Sequence, residues 1–172
     1  MAITVAKFLD VSQGTQAGQF TVGDHDAVTS LEALDPVYKR LLDEPVTAVV
    51  GVISPSGRSN LTPVWFDYDG DTVLLNLAIH RKKVEWLRAN PQATFLLMNP
   101  ENAYHWLSIK ATVSREISED DPEEGQRVTD QLNRIFKKYT GGDEYALRDP
   151  SFEERRVLFE LKVDTVATFG QP

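Results

Sequence analysis

The sequence predicts a mainly β fold, a roughly six-stranded antiparallel barrel with a few helices. Three observations carry that reading. Residues 46–79 hold three β-rich runs separated only by Pro55-Ser56-Gly57 and Asp69-Gly70, the composition of tight turns between paired strands. Further β-rich segments follow at 94–98, 104–117 and 156–169. Both faces of the early strands are apolar, with Val64, Phe66 and Tyr68 on one and Leu61, Pro63 and Trp65 on the other. A sheet with one face in water alternates apolar and polar residues. Two apolar faces call for a barrel interior on one side and a helix or second subunit on the other.

Residues 1–30 read as an N-terminal arm, weak in apolar pattern over 1–25 and carrying Gly14, Gly18 and Gly23. Residues 31–172 read as one domain. Leu31 to Leu42 has helical spacing, with Asp35 as N-cap, Pro36 at the first helical position and Pro45 as the breaker beyond. Val46 to Ser54, Asn60 to Tyr68 and Thr72 to Ile79 then form an antiparallel meander. Val84 to Asn90 fits a short helix stopped by Asn90-Pro91. Strands at Thr94 to Met98 and Tyr104 to Ile117 follow. Asp121, Pro122 and Glu124 open a second helix in capping-box style, with Val128, Leu132, Ile135, Phe136 and Tyr139 on one face. Gly141-Gly142 ends it. Arg156 to Phe169 is the last strand.

Composition excludes several classes. The 172 residues suffice for one core, burying roughly 70% of the unfolded surface. The chain has no Cys, which excludes a disulfide scaffold, a Cys-ligated zinc site and a thiol nucleophile. Apolar runs fall short of the roughly 20 residues that span a bilayer. Met1 to Asp10 has one Lys and no long apolar region, so no signal peptide is expected and the default location is cytoplasmic. A net charge of −8, from 18 Lys and Arg against 26 Asp and Glu, argues against nucleic acid as a partner.

The charge is unevenly placed. Residues 116–124 hold six acids, read as a solvated strand end and helix start with no metal. Residues 80–88 hold four of the 18 basic residues: Arg81, Lys82, Lys83 and Arg88. Arg81, Lys82 and Lys83 open a helix, where the macrodipole disfavours cations and backbone N–H groups lack partners. An anion among them would reverse that cost, and a helix N-terminus suits phosphate. The alternative is a solvated basic turn of the kind Lys137 and Lys138 represent elsewhere. Thr62, Asn76 and Ala78 are small or polar on neighbouring strands and leave room for a flat ring. Pro63 within its strand implies an edge or a bulge. A ring site beside a helix-end phosphate site is the shape a flavin nucleotide needs.

These residues carry a resemblance. The run 57–66, then Asp69-Gly70-Asp71, then 81–91 (Arg81-Lys82-Lys83-Val84-Glu85-Trp86-Leu87-Arg88-Ala89-Asn90-Pro91) resembles the flavin-binding split-barrel superfamily founded on pyridoxamine 5′-phosphate oxidase. Lys138-Tyr139-Thr140-Gly141-Gly142 and Arg155-Arg156-Val157 resemble its F420-dependent reductase branch. The similarity covers roughly residues 37–168. The resemblance implies a split barrel and a homodimer with two cofactors at the subunit interface. It also implies a phosphate held by Lys82 and Lys83 with Arg81 adjacent. The ring contacts fall on Asn60, Leu61, Thr62, Pro63 and Val64 and on Leu75, Asn76, Leu77 and Ala78. Trp106 stands where the oxidase has a cofactor-binding Gln, and Ala111 where it has a Gly. The oxidase's substrate-phosphate residues have no counterpart, which argues against oxidation of pyridoxamine phosphate.

Other chemistries find little support. His25, His80 and His105 are scattered without metal-ligand spacing, and no GxSxG, P-loop or GxGxxG occurs. Trp65, Trp86 and Trp106 read as core or interface residues. Tyr104 and His105 are candidates to face the cofactor from a partner subunit. The expectation is an F420- or FMN-dependent oxidoreductase moving hydride between the cofactor and a small conjugated substrate, with no acid–base residue assigned. The alternatives are a non-catalytic flavin or deazaflavin carrier and an interaction module without cofactor.

Overall fold

The computed structural model describes residues 2–8 and 22–172, which form nine strands and three α-helices. In chain order these are β1 (Ile3–Phe8), β2 (Val22–Val28), α1 (Pro36–Asp43), β3 (Ala48–Ile53), β4 (Ser59–Val64) and β5 (Asp67–Asp69). Then come β6 (Thr72–Ala78), α2 (Lys82–Ala89), β7 (Gln92–Met98), β8 (Trp106–Ser118), α3 (Gly125–Thr140) and β9 (Arg156–Phe169). The mainly β expectation holds, but the six-stranded antiparallel barrel does not. The strands form one mixed sheet in the order β2-β1-β9-β8-β7-β3-β4, with the β5–β6 hairpin joined to β9 through β6. The β1–β9 pair is parallel.

Two features explain the difference. The predicted strand 60–68 breaks at Trp65-Phe66. Val64 pairs with Ala48 while Asp67 pairs with Leu74, so β4 and β6 face each other across a gap instead of pairing. Phe66 turns into the core, and its N–H donates to the Tyr139 hydroxyl at 2.9 Å. That hydroxyl in turn donates to the Val46 carbonyl at 2.6 Å. The C-terminal turn of α3 thus takes over backbone groups that a continuous strand would have used. Second, part of the arm belongs to the sheet, since β1 lies along β9 and buries Ile3 and Val5. Residues 9–21, with Gly14 and Gly18, lie outside the described residues.

The long strand β9 organises the fold. Its first half pairs with β6, its second half with β1, and β8 runs along its other edge. Two register shifts bend the β8–β9 pair: Asp164 of β9 is extra opposite Lys110/Ala111, and Ser114 of β8 is extra between Val113 and Arg115. Ala48, Val50, Val52, Phe95, Leu97, Leu107, Ile109 and Val166 point inward and form the core. The alternate positions of β3, β4 and β7 point outward and stay largely apolar. Val49 pairs with Pro63 and Leu96, and Met98 pairs with Trp106, which pairs with Phe169. Both faces of this part of the sheet are therefore apolar, as expected.

The helices follow their local signals with one shift. Asp35 caps α1 by accepting from the Val37 N–H at 3.0 Å. The helix predicted from Asp121-Pro122 begins at Gly125 rather than beside Pro122, because Asp121 caps the preceding turn, accepting from Glu123 and Glu124 N–H at 2.9 Å each. Gly125 is required there, since a Cβ would lie 2.3 Å from the Glu119 carbonyl oxygen. Val128, Leu132 and Ile135 are buried, and Gly141 ends α3 at φ +81°. Among the described residues no helix is long and apolar enough to cross a membrane.

Candidate functional site

The basic cluster lies at the start of α2, beside the edge strand β4. Arg81 occupies the N-cap without a side-chain cap bond, so the first turn of α2 lacks the oxygen that Asp35 gives α1. Lys83 is half-buried and donates to the Thr62 hydroxyl at 2.6 Å. Arg81 and Lys82 are exposed, and none of the three cations pairs with a carboxylate among the described residues. Burial, and then repulsion from Arg81, holds the Lys83 ammonium below the usual lysine range. A half-buried ammonium held by a neutral hydroxyl, with a second cation nearby, has the electrostatics to accept an anion.

A cavity of about 400 Å³ opens next to it, in the gap between β4 and β6. Its walls are Thr47, Pro63, Val64, Trp65, Asn76, Leu132, Ile135, Tyr145, Leu147 and Arg156. Thr62 and Val64 are two residues apart on one face of β4, so clamp and cavity are about 7 Å apart along the strand. Trp65 stacks on Tyr139, with ring centroids 5.1 Å apart and planes at 12°.

The structure brings together part of the predicted set. Lys83 and Thr62 touch, Arg81 and Lys82 flank them, and Pro63, Val64 and Asn76 line the cavity. Asn60 sits half-buried further along β4, whereas Leu61 turns to the outer face and is 67% exposed. Leu75, Leu77 and Ala78 are packed into the interior. Trp106 is three strands away from β4 across the sheet and stacks on Phe169. Within one chain it does not join the cluster. Of the pair considered for a partner's site, Tyr104 is 77% exposed, but His105 is fully buried, its Nδ1 3.2 Å from the Asn99 amide nitrogen.

Sequence reasoning missed the far wall of the cavity. Trp65 was read as a core or interface residue, and Tyr145 and Leu147 lie in a segment without periodicity. Lys138, expected on the surface, is half-buried and donates to the carbonyls of Leu42 and Phe66. It caps the end of α1 and braces the chain at the strand break.

The acidic segment is not merely solvated. Glu116 pairs with Arg88, Asp120 with Arg155, and Glu124 with Arg115 and Arg127. Glu119 accepts from Arg148, from Thr129 at 3.1 Å and from the Arg156 N–H at 3.1 Å. These bonds pin residues 143–155, the segment that brings Tyr145 and Leu147 over the cavity. Burial alone would raise the Glu119 pKa, but the Arg148 guanidinium and the other donors hold it below the usual carboxylate value. A lowered carboxylate pKa stabilises the fold above the unfolded value, about 4.3, and that contribution is lost as pH falls through the folded value. Limited proteolysis is therefore expected to cut 143–155 faster as pH falls below about 4, and Glu119→Gln should produce the same cleavage at pH 7. Equal cleavage of Glu119→Gln and wild type at pH 7 would count against the pin.

Comparison with known proteins identifies the family and the fold. The family described as pyridoxamine 5′-phosphate oxidase matches residues 34–170. The chain belongs to the pyridoxamine 5′-phosphate oxidase family. Its split-barrel fold recurs in a solved F420 reductase, 20% identical, covering 77% of this chain and 98% of that one with a TM-score of 0.61. A conserved hypothetical protein from Mycobacterium tuberculosis is 19% identical, covering 75% of this chain and 79% of that one at a TM-score of 0.53. The heme storage protein HutZ from Vibrio cholerae is 16% identical, covering 77% and 92% at a TM-score of 0.55. At these identities the likeness is one of fold, and these family folds serve more than one role. Comparison with curated proteins returned no match.

Proposed function

We propose that this chain is an oxidoreductase that binds a flavin-type cofactor, coenzyme F420 or alternatively FMN, and reduces or oxidises a small conjugated substrate. The observation that carries the reading is Lys83, a half-buried ammonium beside the cation Arg81, with no carboxylate partner among the described residues. Lys83, Lys82 and Arg81 would hold the cofactor phosphate, assisted by Thr62 and the uncapped first turn of α2. The ring would enter the cavity beside Val64 and Trp65. The bound cofactor supplies hydride chemistry, while the chain's residues bind, orient and exclude water. The F420 reductase among the structural neighbours favours F420, and exposed Arg81 and Lys82 leave cations for its longer anionic tail.

The outer sheet face supports a homodimer as part of the same proposal. Leu61 and Met98 are exposed beside half-buried Val49, Leu96, Trp106 and Phe169. A contiguous apolar face of this kind commonly marks an interface. Purified protein titrated separately with FMN and F420, followed by cofactor absorbance and fluorescence, tests the reading. Saturable one-per-chain binding of either is expected; no binding of both contradicts it.

A further inference from the structure

The cavity has a polar floor under apolar walls, and the floor's hydrogen bonds are incomplete. Asn76 commits both amide N–H groups to α3, donating to the Val128 carbonyl and to Gln131 Oε1 at 3.0 Å each. Its Oδ1 accepts from Arg156 Nε at 2.7 Å, so Asn76 orients Arg156 and has no donor left for the cavity. Arg156 Nη1 donates to Glu154 Oε1 at 2.6 Å and Nη2 to the Asn76 carbonyl at 3.4 Å. A guanidinium has five N–H donors. The remaining two have no acceptor among the described residues, and the Tyr145 ring covers the group with its centroid 5.2 Å away.

Charge selects what those donors can take. The Arg156 and Glu154 side chains are 11% and 7% exposed, so the pair is desolvated and already neutral. A carboxylate entering here would share one guanidinium with Glu154 and carry an uncompensated charge into an apolar site. A neutral carbonyl oxygen accepts the same N–H groups without that cost. Trp65 and Tyr145 supply flat walls.

We infer that the cavity is a binding site for an uncharged planar molecule that directs a carbonyl oxygen at Arg156. Two sources share that chemistry: the ring of the phosphate-bearing cofactor, in which case the inference rests on the proposed function, and a free conjugated carbonyl compound.

The full chain is tested by equilibrium binding, read from Trp fluorescence and calorimetry, with lumiflavin, FMN, trans-cinnamamide and trans-cinnamate. Cinnamamide should bind about tenfold or more tighter than its charged isostere cinnamate. The double variant Arg156→Met/Glu154→Met, which leaves no buried charge behind but removes the donors offered to the carbonyl, should weaken cinnamamide about tenfold or more. Leu147 is 59% exposed at the cavity, so Leu147→Trp should fold normally and weaken both uncharged ligands about tenfold or more. Lys83→Met should weaken FMN and leave lumiflavin unchanged, which tests the clamp separately. Lumiflavin binding that responds to Leu147→Trp assigns the cofactor ring to the cavity. Cinnamamide binding without lumiflavin binding assigns a free molecule and removes the ring from it, with the inference intact. Equal binding of cinnamamide and cinnamate, failure of both lumiflavin and cinnamamide to bind, or indifference of all ligands to Leu147→Trp overturns the inference.

Discussion

Lys83→Met is expected to weaken binding of the phosphate-bearing cofactor about tenfold to a hundredfold. A hydrogen bond to a charged group contributes about 1.5–3 kcal/mol, and about 1.4 kcal/mol corresponds to one decade of affinity. The same substitution should leave the melting temperature of the free protein unchanged or raised. Burial and Arg81 lower the Lys83 pKa, so the folded state holds the ammonium less willingly than the unfolded chain does. A lowered lysine pKa costs stability at neutral pH, and that cost fades as pH rises from the folded value toward the unfolded value near 10.4. An anion on the clamp should push the Lys83 pKa back up. If the side chain were only a solvated basic turn, affinity would not change. A clear fall in melting temperature would mean that Lys83 serves structure through Thr62 instead.

Leu61→Glu should convert a dimer into a monomer. Leu61 lies over Gly51 on the outer face, where a Cβ on Gly51 would come within 3.0 Å of its Cδ2. Buried in the proposed interface, a carboxylate at position 61 loses its water. In the monomer the position is 67% exposed, so the substitution should not harm folding. Light scattering at micromolar concentration should give twice the chain mass for wild type and the chain mass for the variant. A wild-type monomer would contradict the interface. A variant that remained dimeric would place the interface elsewhere.

Strands and helices were readable where a local signal and the final contacts agreed. The predicted strand Arg156 to Phe169 coincides with β9, and Asp35-Pro36 opens α1 as its capping chemistry requires. The hairpin at Asp69-Gly70 also forms, with Gly70 at φ +59°. The break at Trp65-Phe66 was hidden because its cause, the Tyr139 hydroxyl, is 73 residues away. Two alternating residues, Ile3 and Val5, attach β1 to β9, and so short a pattern leaves no periodic trace. The basic cluster at the start of α2 was legible because three adjacent cations at a helix start conflict with the dipole, a conflict visible in sequence. Asn76 was singled out in the sequence and lines the cavity, but its bond to Arg156, and the burial of Arg156 with Glu154, arise only across an 80-residue separation.

The central claim is that a phosphate is bound at Lys83, and the affinity ratio of ligands with and without one tests it most directly. FMN against riboflavin, and F420 against its phosphate-free chromophore alcohol, should each be measured by equilibrium titration at fixed ionic strength. At least one phosphate-bearing ligand should bind about tenfold or more tighter than its phosphate-free counterpart, with the ratio falling to nearly one in Lys83→Met. Equal affinity within both pairs for the wild-type protein would contradict it.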